Sequence, residues 1–227
     1  MFRSSENVLI ETQKLLVKYR YVVALNDVSL KIPYGKALIV GSNGSGKTTL
    51  LKVIAGLIIP TRGWVRVFGL DPVRNFNEMT RRILFVRDSD DVHQYFKVKS
   101  LVNVFSKIYG ERKTLEAVDR LGLLPHMEKR ICELSKGFRR RIALLESLIA
   151  EKELIMLDEP LSGLDYESRN IIRNTLAEFL VGKSIIVSSH IPLNLDFNYL
   201  IVLEQGRVVY SGEYSHEIAL KYFRLDY

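Results

Sequence analysis

Residues 41–49, Gly-Ser-Asn-Gly-Ser-Gly-Lys-Thr-Thr, constrain this chain more than any other segment. Glycines at 41 and 46 followed by Lys47 and Thr48 have the spacing of a phosphate-binding loop. Such a loop belongs between a buried strand and a helix. The flanks supply both: residues 37–40 are a short apolar run, and residues 49–55 carry a helical pattern. Glycine is needed where backbone curls tightly and approaches a ligand without a Cβ in the way. The curl points N–H groups inward at a helix N-terminus, where the dipole adds to the attraction for an anion. Gly41, Ser42, Asn43, Gly44, Ser45, Gly46 and Thr49 would then cradle phosphates. Lys47 would place its charge at the β- and γ-phosphates, and the Thr48 hydroxyl would ligate Mg²⁺. The chain is expected to bind a nucleoside triphosphate.

A second signal lies at residues 154–160, Leu-Ile-Met-Leu-Asp-Glu-Pro. An apolar strand ending in two carboxylates delivers them to the C-terminal edge of a parallel sheet, where ligands gather. Asp158 is expected to hold Mg²⁺ through its water shell, and Glu159 to polarise the water that attacks the γ-phosphate.

The rest of the chain fits around these two segments. Residues 28–32 alternate, residues 33–35 supply a turn, and residues 64–68 form another short strand pattern. From about 92 to 150 the pattern is helical: Leu101, Val104, Phe105 and Ile108, then Leu115, Val118 and Leu121, then residues 142–149. Strand and helix alternate again afterwards, with a helix over 167–180, a buried strand at 184–188, and a hairpin formed by 199–203 and 207–210. The expectation is an α/β chain with a mostly parallel sheet covered on both faces. It reads as a single domain, with residues 1–91 and 151–227 forming the core and 92–150 a helical insert.

Composition narrows the setting. The 227 residues are 47% hydrophobic, enough for a substantial core. Cys132 is alone, which points to a reducing compartment. No apolar run is long enough to cross a bilayer, and the first residues lack a signal-peptide core. The chain is therefore expected inside the cell. An excess of 33 basic over 26 acidic residues gives +7, which suits nucleic acid, an anionic membrane face or merely a basic surface. The clusters Arg81-Arg82 and Arg139-Arg140-Arg141 are too short for a dedicated nucleic-acid arm.

With these motifs in order, the chain resembles the nucleotide-binding subunit of an ATP-binding cassette (ABC) transporter over nearly its whole length. Residues 134–138, Leu-Ser-Lys-Gly-Phe, are similar to the family signature Leu-Ser-Gly-Gly-Gln, and residues 162–165, Ser-Gly-Leu-Asp, to its D-loop. His190 matches the switch histidine, and Tyr19 the aromatic residue that stacks on adenine, with Tyr21 close enough to compete. The resemblance implies a P-loop NTPase cassette with a RecA-like core, an N-terminal antiparallel β part and an inserted helical subdomain. His190 would bond the γ-phosphate and orient Glu159 or the attacking water. Ser135, Gly137 and Asp165 would act in trans, on ATP held by a partner's phosphate loop, so that two cassettes pair as a homodimer or heterodimer around two ATPs.

Two departures stand out. Lys136 and Phe138 replace glycine and glutamine of the signature; Leu-Ser-Lys-Gly before a basic run resembles the exporter-like branch with ABC-2-type membrane partners. At the end of residues 83–88, Asp88 stands where the family carries its Q-loop glutamine, and Gln94 follows six residues later. Asp88 would then lie near Mg²⁺.

The resemblance implies an ATP-hydrolysing motor on the inner face of the cell membrane, peripheral through a separate membrane-spanning subunit. A groove beside Phe85, Val92, Tyr95, Phe96 and Val98 would receive a short helix of that subunit. A soluble cassette ATPase acting on nucleic acid or ribosomes is the alternative, disfavoured by the single cassette and the ordinary insert. A nucleotide binder without hydrolysis is a third reading, disfavoured by the presence of Glu159 and His190.

Overall fold

The structure, a computed structural model, describes residues 8–88, 94–193 and 195–223. Two sheets organise it. The first is antiparallel, with β1 (Val8–Tyr19), β2 (Val22–Pro33) and β4 (Arg62–Val67) in the order β2-β1-β4. β1 and β2 form a hairpin whose turn puts Arg20 at φ +45°.

The second sheet has six strands. They are β3 (Lys36–Val40), β5 (Ile83–Val86), β6 (Leu154–Asp158), β7 (Ser184–Ser188), β8 (Tyr199–Glu204) and β9 (Arg207–Glu213), in the order β5-β6-β7-β3-β8-β9. All neighbours are parallel except β8 and β9, the expected hairpin.

The side-chain period of two along each strand divides the interior into two apolar layers. Ala37, Ile39, Met156, Ile186 and Ile201 face α1 (Lys47–Ile54) and the antiparallel sheet. Leu38, Val40, Ile155, Leu157, Ile185 and Val187 face the opposite way, into a layer built with four longer helices. These are α3 (Val98–Tyr109), α4 (Glu111–Arg120), α5 (Lys136–Ile149) and α6 (Tyr166–Phe179). Burial on both faces explains why β3, β6 and β7 read as unbroken apolar runs. The helices of the expected insert thus share one apolar layer with the sheet.

The described residues also include two shorter α-helices, α2 (Phe76–Arg82) and α7 (His216–Leu220). The apolar spacing along α3 is only partly inward: Val98, Leu101 and Val102 are buried, whereas Val104 and Ile108 are exposed. Among the described residues, no helix is long and apolar enough to cross a membrane.

Candidate functional site

Strand order builds the site. β5, β6, β7 and β3 are adjacent and parallel, so their C-terminal ends lie along one edge. The loop of residues 41–46 follows β3, Asp158 and Glu159 end β6, His190 follows β7, and Asp88 follows β5. Four segments distant in sequence meet at the crevice where ligands collect in open α/β sheets. A cavity of about 440 Å³ is lined there by Tyr19, Asn43, Gly44, Ser45, Gly46, Lys47, Thr48, Thr49, Asp88, Glu159, Ser162 and His190, with Val22 and Ala24 at the β2 side.

The loop adopts the required curl. Gly41, Gly44 and Gly46 all have positive φ. A Cβ on Gly41 would come within 2.2 Å of the Leu203 carbonyl oxygen, and one on Gly46 within 2.6 Å of the Ala24 carbonyl oxygen. Close backbone approach therefore demands glycine at both positions. Gly46 sits just before α1, whose first residue is Lys47, so the loop's N–H groups stand at a helix N-terminus. Ser42 is exposed, Thr48 is exposed and lines the cavity, and Ser45 Oγ is buried without a hydrogen-bond partner.

Lys47 is nearly buried. Its Nζ donates to the carbonyl oxygens of Gly41 (2.8 Å) and Ser42 (3.2 Å) and lies 3.1 Å from Glu159 Oε1. The other carboxylate oxygen, Oε2, meets His190 Nδ1 at 2.6 Å and accepts from the His190 backbone N–H at 3.3 Å. Lys47, Glu159 and His190 thus form one connected group.

Glu159 occupies a left-handed backbone conformation, φ +47°, which a non-glycine residue adopts only under firm restraint. Its N–H donates to both the carbonyl and the hydroxyl oxygen of Ser188 (3.0 and 3.1 Å). The same hydroxyl donates to Asp158 Oδ1 at 2.5 Å, fixing a carboxylate that is almost wholly buried. Ser188 therefore sets both acids, a role that the sequence reading did not give it.

Asp88 is half-exposed at the cavity wall. Burial pushes its carboxyl above the usual range, opposed by the nearby Arg140 guanidinium and reinforced by the negative charges of Asp158 and Glu159. Thr48 lines the cavity, whereas Asp158, almost wholly buried, is not among its lining residues. Oxygen donors of these two kinds suit a hard cation such as Mg²⁺, which takes one or two carboxylates and completes its shell from phosphates and water. The described residues hold no cluster of three His, Cys, Asp or Glu side chains able to bind a metal by themselves.

The remaining candidates fall into three places. Tyr19 lines the cavity while Tyr21, 96% exposed, does not. Ser135, Gly137 and Asp165 lie outside the cavity lining. Ser135 caps α5 by accepting from Phe138 N–H, and Asp165 caps α6 with both carboxylate oxygens on Ser168. Gly137 is packed against α6, where a Cβ would meet Ser168 Oγ at 2.3 Å. Lys136 Nζ lies over Gly163. Of the docking residues, Phe85 lines a separate groove of about 300 Å³ with Leu57, Phe76, Met79 and Arg87. Tyr95 and Phe96 are exposed, Val98 is buried, and Val92 lies outside the described residues.

Comparison with known proteins identifies the family. Residues 25–162 match the ABC transporter family. The chain is 34% identical to the ABC transporter ATP-binding protein NatA of Bacillus subtilis over 86% of its own length and 84% of that protein. It is 27% identical to the bacitracin transport ATP-binding protein BcrA of Enterococcus faecalis, over 96% of this chain and 74% of that one. Nod factor export ATP-binding proteins match too, and the chain spans about two thirds of their length. Among solved structures, a bacterial Atm1-family ABC exporter with ATP bound superposes with a TM-score of 0.79 at 20% identity, over 95% of this chain and 40% of that one. The cbiO1 protein of Clostridium perfringens, described as part of the ABC transporter complex cbiONQ, gives 0.74 at 24% identity, over 95% and 92%. With the phosphate loop, the paired acids and the histidine assembled at one sheet edge, the chain belongs to the ABC transporter family as its ATP-binding, ATP-hydrolysing cassette.

Proposed function

We propose that this cassette hydrolyses Mg·ATP with Glu159 as the water-polarising base and His190 as the group that orients it. The observation that carries this is the group Lys47–Glu159–His190, in contact through 3.1 and 2.6 Å approaches at the mouth of the phosphate loop. A general base must reach the proton it takes, and Glu159 is held rigidly at the cavity wall to do so. Lys47 and the loop N–H groups would bind the β- and γ-phosphates, and Tyr19 would cover the adenine. Thr48 and Asp158, with Asp88 beside them, would hold Mg²⁺, which supplies charge neutralisation of the phosphates when bound.

Ser135, Gly137 and Asp165 are proposed to act on a second cassette's nucleotide, as none of them lines the cavity of its own chain. Two cassettes would close on ATP and part after hydrolysis. The groove of Leu57, Phe76, Met79 and Phe85 is proposed to seat a short helix of a membrane-spanning subunit. The mixture of apolar anchors with Arg87 suits an amphipathic segment. The cassette would then work at the inner membrane face through that partner; cbiO1, which it resembles in fold, is described as part of an ABC transporter complex. The Lys136 and Phe138 signature favours an ABC-2-type partner.

The test uses the Glu159→Gln protein. With Mg·ATP it is expected to bind nucleotide, lose steady-state turnover and sediment as a dimer. Normal turnover would remove Glu159 from the base role, and a monomer both with and without Mg·ATP would count against a homodimeric site. Specific retention of the wild-type chain on ribosomes or nucleic acid at physiological salt, with no membrane protein co-purifying, would overturn the transport assignment.

A further inference from the structure

Arg140 is one of the most buried charged residues in the molecule, 2% exposed, and no step above uses it. It lies on α5, five residues beyond Ser135. Its guanidinium collects backbone carbonyls from two strand ends. Nη2 donates to the carbonyl oxygens of Asp158 and Glu159, each at 2.7 Å, and Nε donates to that of Pro160 at 3.2 Å. Nη1 donates to the Arg87 carbonyl oxygen at 2.7 Å, and the Asp88 carboxylate lies 3.7 Å from Nη2.

Three consecutive carbonyls pointing at one group require a sharp backbone curl, which is where Glu159 takes its φ of +47°. Ser188 holds the N–H side of that residue and Arg140 the carbonyl side. Only a planar fork with donors in fixed directions serves this many acceptors at once; a lysine ammonium has three donors on a flexible stem. A solvated or structural arginine would need none of this convergence on a catalytic turn.

We propose that Arg140 is a positioning residue for hydrolysis, clamping the Asp158–Glu159–Pro160 turn so that the Glu159 carboxylate is aimed at the cavity. The same clamp joins three parts: the helix that begins at the signature residues, the β6 turn that bears the base, and the β5 end that bears Asp88. Displacement of α5 would be passed to Glu159 through a single side chain. This inference rests on the reading of Glu159 as base.

The test compares Arg140→Gln and Arg140→Lys with wild type and with Glu159→Gln, in the full chain. Arg140→Gln is expected to lower kcat about a hundredfold, the scale of a misplacement near 1 Å, with no loss in the directly measured Mg·ATP affinity. Arg140→Lys should fall between the two, as a partial rescue. Because Arg140 acts through Glu159, Arg140→Gln added to Glu159→Gln should cost nothing further in single-turnover hydrolysis. If Arg140→Gln melts too early to assay, Arg140→Lys carries the comparison. A wild-type kcat in the Arg140 variants while Glu159→Gln is inactive would overturn the clamp alone. So would equal losses in affinity and turnover, or a multiplied loss in the double variant, both marking a general structural prop. Normal turnover by Glu159→Gln by itself would overturn the reading of Glu159 and the clamp with it.

Discussion

Replacing Glu159 by glutamine should do more than stop hydrolysis: it should tighten the binding of ATP to the single cassette. Lys47 faces Glu159 Oε1 at 3.1 Å, and Oε1 has no hydrogen bond of good geometry, so the contact is Coulombic. At an effective dielectric of about 20, two unit charges at this distance attract by about 5 kcal/mol. Desolvation of two nearly buried groups offsets most of that. A residual of about 1.4 kcal/mol, roughly a quarter of the gross attraction, is a tenfold change in Kd. Triphosphate must draw Lys47 away from the carboxylate, and the carboxylate also repels the incoming negative charge. Both effects have the same sign and both vanish with the neutral amide. Calorimetric titration with Mg·ATP, at concentrations where sedimentation shows only monomer, should give a Kd at least about tenfold lower for Glu159→Gln. An unchanged or weaker Kd in a variant with wild-type melting behaviour would refute the competition argument.

Three further variants carry expected outcomes. Lys47→Ala should weaken ATP binding by about 10- to 100-fold in the same titration, the scale of a charge-assisted hydrogen bond. Asp88→Gln should shift the Mg²⁺ dependence of ATPase activity more than the ATP affinity, and superimposed metal titrations would mark Asp88 as a mere surface acid. The same variant should melt higher than wild type at neutral pH. The folded carboxyl titrates above its unfolded range, so its ionised form opposes folding. That cost is absent below the ordinary carboxylate range and grows as pH rises through the raised value. Chemical denaturation across that range should show the advantage of Asp88→Gln fading on the acid side. Finally, Gly46→Ala places a Cβ 2.6 Å from the Ala24 carbonyl oxygen at φ +106°. A loss of at least about 1–3 kcal/mol of stability should follow from the strained backbone, together with loss of nucleotide binding.

Much of this site was legible because the motifs are short and local. The phosphate loop, the acids ending β6 and the histidine after β7 each sit directly behind an apolar run, and parallel strands place such ends on one edge. What escaped depends on contacts between distant segments. The run Arg139-Arg140-Arg141 reads as a basic cluster, yet Arg140 and Arg141 are buried. One is occupied by strand-end carbonyls and the other by Ser168 Oγ at 3.0 Å. Ser188 looks like the last residue of a strand, and only the β6–β7 register sets it opposite Asp158. Gly137 carries a packing demand from α6 that nothing in residues 134–138 announces. The exposed sides of Val104 and Ile108 were also hidden in the pattern, since helical spacing finds an apolar stripe without saying how wide its buried part is. α2 went unread because Met79 is its one buried residue, too little for a periodic signal.

The division of the six-stranded sheet into two layers has a consequence for how this chain can vary. Met156 and Leu157 are sequence neighbours, but they belong to different apolar clusters, the first with the phosphate-loop helix and the second with the helix bearing the signature. A change at one is compensated by partners that the other never touches. Even-numbered and odd-numbered positions of β6 should therefore drift as two separate families of substitutions, each correlated with a different half of the chain, although both carry the same pair of acids at their end.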